Sequence, residues 1–179
     1  MLTLCCTRKI RDRLKLATEL PPPGEPSTAL GNWYVNLVRF GRLQLVLATS
    51  ERSLLTLIFP AKELRESLEH RIQVGLRALL YALDVPCAAI DLEIAEMQLF
   101  LYGSASNRSV LGSMKQLALD LSYAIEDGSD ATALALRLSE TPMSALGGAG
   151  PWKHFGVPRA VARDLLMARL ATNALHQCP

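Results

Sequence analysis

Three consecutive apolar runs form the centre of the hydrophobic pattern. Residues 33–40, 43–49 and 53–59 are apolar and rich in strand-forming side chains, and short polar breaks separate them. Gly41-Arg42 fits a two-residue hairpin, because glycine readily adopts a positive φ angle. Ser50-Glu51-Arg52 joins the second run to the third. The pattern therefore predicts an antiparallel meander of three strands.

Shorter alternating stretches predict further strands. Residues 2–6 and 97–102 place apolar side chains at alternate positions, as a strand with one buried face requires. Residues 132–139 carry three alternate leucines, although Leu134 and Leu138 alone would also suit a helix. We interpret 132–139 as a strand, because Gly-Ser-Asp precedes it and Thr-Pro follows it.

Apolar residues at intervals of three and four indicate helices in the rest of the chain. Thr7 is a suitable N-cap for the first helix, and Pro60 suits the first turn of the second. In the last helix we expect Leu165 and Leu175 to face inward. The predicted helices span residues 8–15, 60–83, 87–95, 108–126 and 158–176.

These elements together predict an α+β fold. We expect a single domain with a mostly antiparallel sheet of about five or six strands and with helices packed on it. The core domain would span residues 1–146. Residues 147–179 would form a Gly/Pro joint followed by a C-terminal basic helix that packs on the same domain.

Composition and cysteine usage predict a cytoplasmic globular protein. Half of the residues are hydrophobic, yet no run of about 18 uncharged apolar residues occurs, so we expect no membrane association. The apolar residues 1–6 precede the first cations, whereas a secretory signal has the opposite order. The four cysteines form no C-x-x-C pair and lie at no zinc-ligand spacing from the histidines, so we predict no metal and no cofactor.

The net charge of +2 hides an uneven distribution. Residues 1–20 and 151–179 are each basic, whereas the middle of the chain is mildly acidic. Basic ends would allow contact with nucleic acid or with an acidic partner, and such binding would weaken steeply with salt. We favour the simpler interpretation that these cations lie on solvated faces of the terminal helices.

Polar and cationic residues collect where the predicted strand 97–102 gives way to the helix 108–126. On a helical wheel Arg108, Gly112 and Lys115 form one column. Glycine inside a helix costs about 1 kcal/mol relative to alanine, which indicates that something approaches the backbone closely there. Two interpretations stay open: the two cations grip a partner backbone, phosphate or carboxylate, or a neighbouring element packs against Gly112 and the cations are solvated.

Asn36 and Trp33 are further candidates on the first strand of the meander. Asparagine is disfavoured inside a strand, and a buried amide without partners costs about 1–3 kcal/mol. Asn36 is therefore either a satisfied structural residue or a ligand contact. Trp33 offers either a core side chain or a stacking surface.

Catalytic motifs are scarce in this chain. Glu140, before Thr141-Pro142, is a candidate general base or a partner for Arg108, although a turn closed by proline requires neither role. The sequence contains no nucleophile elbow, phosphate-binding loop or paired metal-binding histidines. Cys6 precedes cations that would lower its thiol pKa, but its alternation with apolar neighbours favours a buried side chain.

Several of these segments resemble a known family. The chain is similar to a bacterial family known only as a domain of unknown function, and the resemblance covers roughly residues 1–146. The family commonly has Asn and Asp where this chain has Lys115 and Gln116. The resemblance supports the positions of the candidate residues but implies no reaction. The similar segments are Cys6-Thr7-Arg8-Lys9, Trp33-Tyr34-Val35-Asn36-Leu37, Asn107-Arg108-Ser109-Val110-Leu111-Gly112-Ser113-Met114 and Leu136-Arg137-Leu138-Ser139-Glu140-Thr141-Pro142-Met143-Ser144.

These observations predict a non-catalytic, cytoplasmic binding or interaction protein of a bacterium or its mobile elements. Its partner would be a protein or a nucleic acid, and an antitoxin-like or inhibitor-like role is one version. The hypothesis requires the helix start at Arg108 and the strand containing Asn36 to be neighbours across the sheet. The predicted binding surface consists of Trp33, Asn36, Arg108, Ser109, Lys115, Arg137 and Glu140.

The alternative is an enzyme that acts on a phosphorylated small molecule or on nucleic acid. In that case Arg108 and Lys115 would hold phosphate and Glu140 would act as the base. A pocket of a few hundred Å3 that is lined by these groups would favour the enzyme, whereas a flat or convex patch would favour the binding protein.

Overall fold

A computed structural model describes residues 1–65, 67–125, 130–147 and 154–177. The strands are β1 (Leu2–Cys6), β2 (Trp33–Phe40), β3 (Leu43–Ser50), β4 (Thr56–Pro60) and β5 (Phe100–Ser104). The α-helices are α1 (Arg8–Leu14), α2 (Leu68–Ala82), α3 (Cys87–Glu96), α4 (Arg108–Ala124), α5 (Ala131–Ser139) and α6 (Pro158–Gln177). Two short 3-10 helices span Ala61–Arg65 and Ser144–Leu146.

The strands form one mixed sheet in the order β4-β3-β2-β1-β5. The predicted antiparallel meander is confirmed, and Gly41 adopts the positive φ of 58° that the tight β2-β3 turn requires. Strand β1 lies between β2 and β5 and runs parallel to both. Because the meander supplies the longer pairings, the sheet is mostly antiparallel, and the predicted α+β class is confirmed.

The two faces of the sheet carry different helices. Trp33 and Val35 lie on the same face as Leu57 of β4, and the Leu57 side chain packs against Gly75 of α2. Tyr34 lies on the opposite face, where its phenol hydroxyl donates a hydrogen bond to Glu51 at 3.5 Å. Glu51 also accepts from the side chain of Asn107, at the start of α4. Helix α4 therefore covers the face of β2 to which Tyr34 and Asn36 belong.

The strand predicted at 132–139 is wrong, because this segment is helix α5. The carboxylate of Asp130 caps the helix by accepting a hydrogen bond from the amide of Ala133 at 2.8 Å. Leu134 and Leu138, four residues apart, are buried, and α5 packs against the edge strand β4. The three leucines alone fit a strand period and a helix period equally well. The cap and the packing decide for the helix.

Other elements begin or face differently from the prediction. Pro60 ends β4 rather than opening a helix, and α2 begins after Ser67, whose hydroxyl oxygen accepts from the amide of His70. The fifth strand starts at residue 100 rather than 97, since Met97 caps the end of α3. In α6 Pro158, Ala162 and Leu166 are buried. The predicted inward residue Leu165 is only partly buried, and Leu175 is 78% exposed.

The C-terminal helix α6 packs against α3. Most of the predicted Gly/Pro joint lies outside the described residues, which resume at residue 154. Across the part of the chain that the structure describes, no helix combines the length and the apolar character needed to cross a bilayer.

Candidate functional site

The start of α4 is fixed by its own N-cap. Asn107 Oδ1 accepts hydrogen bonds from the backbone amides of Ser109 at 3.1 Å and Val110 at 3.4 Å. Its Nδ2 donates to Glu51, at the end of β3, at 3.4 Å. Because the side chain already satisfies these first amides, the helix terminus itself is a poor anion site. The side chains that follow the cap carry the site.

An open groove of about 670 Å3 follows the first turns of α4. Its other wall is the segment that runs from the end of α5 into the 3-10 helix Ser144–Leu146, together with Phe155, which is 45% exposed. The α4 side consists of Arg108, Ser109, Gly112, Ser113, Gln116 and Asp120, and the other wall consists of Thr141, Pro142, Met143, Ser144, Ala145 and Phe155.

Two polar side chains at one end of the groove have no partner among the described residues. Arg108 is exposed and forms neither a hydrogen bond nor an ion pair with the described part of the chain. Ser113 also lines the groove, and its hydroxyl, which remains accessible, has no partner there either. A helical serine often bonds a carbonyl one turn earlier, as Ser122 does here. The Ser113 hydroxyl instead stays available to a ligand.

Gly112 opens directly onto this groove. A Cβ atom built at this position meets no atom within 4 Å, so no described element packs against the glycine. The sequence leaves two interpretations open for Gly112. The described residues do not support the one in which a neighbouring element packs against the glycine. The glycine leaves room in the groove floor instead.

Asn36 and Trp33 lie outside the groove. Asn36 shares a sheet face with α4, but its Oδ1 accepts a hydrogen bond from the Thr7 hydroxyl at 2.9 Å. That bond also explains why Thr7 makes no side-chain cap for α1. Trp33 is fully buried on the opposite face, and its indole nitrogen has no hydrogen-bond partner among the described residues. Asn36 is thus tied internally, and Trp33 belongs to the core rather than to a surface.

The remaining predicted residues are dispersed around the groove. Glu140 forms an ion pair with Arg159 of α6 at 2.5 Å and not with Arg108. Lys115 and Arg137 are exposed and do not line the groove. On the wheel Lys115 lies beyond Arg108, on the side away from the lining stripe. Of the seven predicted residues, the structure brings only Arg108 and Ser109 together in this groove.

The prediction missed most of the groove residues. Ser109, Ser113, Gln116 and Asp120 follow intervals of four, three and four, which is a polar stripe beside the apolar face of α4. This periodicity was a usable signal. The opposite wall had no comparable signal, because residues 141–145 and Phe155 meet α4 only through the tertiary fold.

A second polar cluster lies outside the groove, and its hydrogen bonds are internal to the protein. The carboxylate of Glu93 in α3 is 1% exposed and accepts hydrogen bonds from the amides of Ala29 at 2.8 Å and Leu30 at 3.1 Å. Burial raises the pKa of Glu93, while these two amide bonds and the nearby Arg169 oppose the shift. We name this arrangement the Glu93 staple, because it joins α3 to the loop before β2.

The buried cysteines are unreactive as thiols. Cys5 and Cys6 are both buried, which confirms the inward orientation that alternation predicts for Cys6. Burial raises the pKa of each thiol to about 12. Since the thiolate is the reactive form, neither side chain is a nucleophile near neutral pH.

The chain belongs to the family described as Domain of unknown function (DUF6933), whose model matches residues 3–154. This finding confirms the resemblance drawn from the sequence, and the matched range includes both walls of the groove except Phe155. No curated protein and no solved structure matches the chain.

Proposed function

We propose that this protein is a non-catalytic, cytoplasmic binding protein whose groove along α4 receives a segment of a protein partner. One observation carries the proposal. Two segments about thirty residues apart in sequence line a single open groove, in which Arg108 and Ser113 have donors without a partner among the described residues. A few polar groups that converge on a concave surface with apolar walls are typical of a binding site.

The lining of the groove favours binding over catalysis. Among the described residues, its one carboxylate, Asp120, accepts a hydrogen bond from Gln116 at 2.8 Å, and the other described side chains of the lining include no histidine, cysteine or lysine. The enzyme alternative needs Arg108, Lys115 and Glu140 around one pocket, but only Arg108 lines this one. The groove is as large as the pocket that we expect of an enzyme. It lacks, however, two of the three groups that the expected reaction requires.

Charge favours a protein over a nucleic acid. The described residues of the groove include one cation and one anion, whereas a phosphate backbone is held by several cations. Several basic residues near the chain ends are also engaged: Arg8 lies 3.9 Å from Asp12, and Arg169 lies 3.5 Å from Glu96. An antitoxin-like or inhibitor-like role in a bacterium or its mobile elements remains one version of this proposal.

Site-specific crosslinking followed by titration tests the proposal. A photoreactive amino acid at Ser109 should capture a partner protein in the native host, and the same group at the exposed Lys115 should not. The captured protein is then purified, and its affinity is measured against wild type, Gly112→Gln and Lys115→Ala. We expect Gly112→Gln to weaken binding at least tenfold, because the side chain fills the groove floor, while Lys115→Ala stays within twofold.

Two results would overturn the proposal. One is capture from Lys115 with equal efficiency, which would place the contact off the groove. The other is an affinity that Gly112→Gln leaves unchanged. Gly112→Gln itself should not unfold the chain, because glutamine is a strong helix former and no described atom obstructs a Cβ there.

A further inference from the structure

The charges at the two ends of the groove are opposite. We infer that the groove recognises an extended peptide segment with a carboxylate at the Arg108 end, a cationic side chain at the Asp120 end and an apolar residue between them. This inference rests on the proposed function and names the chemistry of the partner segment. It is carried by the order of the groove side chains along α4.

The Arg108 end has the donors that a carboxylate needs. A guanidinium forms paired hydrogen bonds with a carboxylate, and these charge-assisted bonds are stronger than neutral ones. Ser109 and Ser113 line the same end, and their hydroxyls form no hydrogen bond with the described residues. The guanidinium and the two hydroxyls therefore all have donors that the described residues leave unused, which suits the two oxygens of a carboxylate.

The Asp120 end has the opposite character. Asp120 is half-buried and lines the groove, and Gln116 holds one of its carboxylate oxygens at 2.8 Å. An ionised carboxylate accepts several hydrogen bonds, so this single bond leaves room for an ammonium or guanidinium donor. A second acidic group of the ligand would be repelled here, which gives the bound segment a direction.

The distance between these ends sets the spacing in the ligand. Arg108 and Asp120 are twelve residues apart on one helix, or about 18 Å along its axis at 1.5 Å per residue. An extended peptide rises about 3.3 Å per residue, so its acidic and basic side chains should lie about five positions apart.

The middle of the groove is apolar and roomy. Phe155 and Pro142 are exposed on the wall opposite α4, and Gly112 leaves the floor without a side chain. A side chain of the ligand between the two charged positions therefore packs against Phe155 above Gly112. Burying an apolar side chain there would add a hydrophobic contribution to the affinity.

A random library of twelve-residue peptides displayed on phage is the probe. It is selected in parallel on wild type, on Gly112→Gln and on the double variant Arg108→Glu/Asp120→Lys. The control is Lys115→Glu, which reverses a charge on the same helix outside the groove. On wild type and on Lys115→Glu we expect enrichment of one order of an acidic and a basic residue, four to six positions apart, with an apolar residue between. The double variant should enrich the opposite order, and Gly112→Gln should lose these peptides.

The outcomes separate this inference from the proposed function. Peptides that bind wild type and are lost on Gly112→Gln, but that lack the spaced charge pair, overturn the inference and leave the groove as a binding site. Enrichment of the same charge order on wild type and on the double variant also overturns it. If no enriched peptide depends on Gly112, both the inference and the proposed function fail.

Discussion

The Glu93 staple and the groove along α4 use similar side chains in opposite ways. At the staple, a carboxylate that is 1% exposed has both oxygens occupied by backbone amides, at 2.8 and 3.1 Å. In the groove, Arg108 and the 7% exposed Ser113 have no partner among the described residues. The first cluster fixes architecture. In the second cluster the described residues leave the donors of Arg108 and Ser113 unused, and we interpret these donors as contacts for a ligand.

The comparison shows that burial alone does not identify a functional residue. Glu93 is the more deeply buried of the two groups and has the shifted pKa, yet its hydrogen bonds are internal. Substitutions at the staple should therefore reduce stability, and substitutions in the groove should reduce binding. Four predictions test this division, from the largest expected effect on stability to the smallest.

Glu93→Ala should cause the largest loss of stability. It leaves the amides of Ala29 and Leu30 buried without their acceptor, and each such loss costs about 1–3 kcal/mol. Because the substitution also removes a poorly solvated charge, we expect a net decrease of about 2 kcal/mol in the free energy of unfolding. Urea denaturation measures it, and a change below about 0.5 kcal/mol would show that the staple is not structural.

Stability should also depend on pH through Glu93. Since burial raises the pKa of Glu93, with Arg169 opposing and Glu96 adding to the shift, the folded state binds this proton more tightly than the unfolded chain. Its contribution is fully present below the ordinary glutamate pKa of 4.5 and is lost as pH rises through the raised pKa of the folded state. The stability difference between wild type and Glu93→Gln should therefore fall with rising pH across that range. A difference that is flat or rises with pH would contradict this assignment.

Gly112→Ala should stabilise the protein by about 0.5–1 kcal/mol, since alanine is the better helix former and nothing within 4 Å obstructs its Cβ. Gly103→Ala is the matched comparison. There a Cβ would lie 2.6 Å from the Thr3 side chain, so we expect destabilisation. Thermal unfolding of both variants checks the signs, and a stabilised Gly103→Ala or a destabilised Gly112→Ala would contradict the geometry.

Arg108→Ala should change the free energy of unfolding least, by less than about 0.5 kcal/mol, because the exposed side chain has no partner among the described residues. Binding of the captured partner should nevertheless be lost. The two readouts are urea denaturation and titration with that partner. An Arg108→Ala protein that unfolds would show that the residue is structural and would remove the contrast with Glu93.

Local pattern was sufficient to predict the meander and α4. Their alternation and three-four periodicity reflect which side chains face the core, and the core faces agree with that pattern. It failed at α5, where three leucines fit two periods and the cap from Asp130 decides. The placement of β1 between two parallel partners depends on pairing with residues nearly a hundred positions away, which no local pattern encodes.

The candidate site was predicted only where it follows one element. Arg108 and Ser109 stand out on α4, and both line the groove. Asn36 accepts a hydrogen bond from Thr7, and Glu140 forms an ion pair with Arg159. Both contacts join elements that are far apart in sequence. Predicted polar residues therefore divide into occupied and available ones only once the fold is known.

The position of β1 inside the sheet has a consequence during synthesis. Leu2–Cys6 is translated before every other strand, but its second hydrogen-bonding edge is closed only by Phe100–Ser104. At ribosomal rates of about 5–20 residues per second, that edge waits for roughly 5–20 seconds. During that interval one hydrogen-bonding edge of β1 stays unpaired on the nascent chain and can pair with another strand, although β1 is buried in the folded protein.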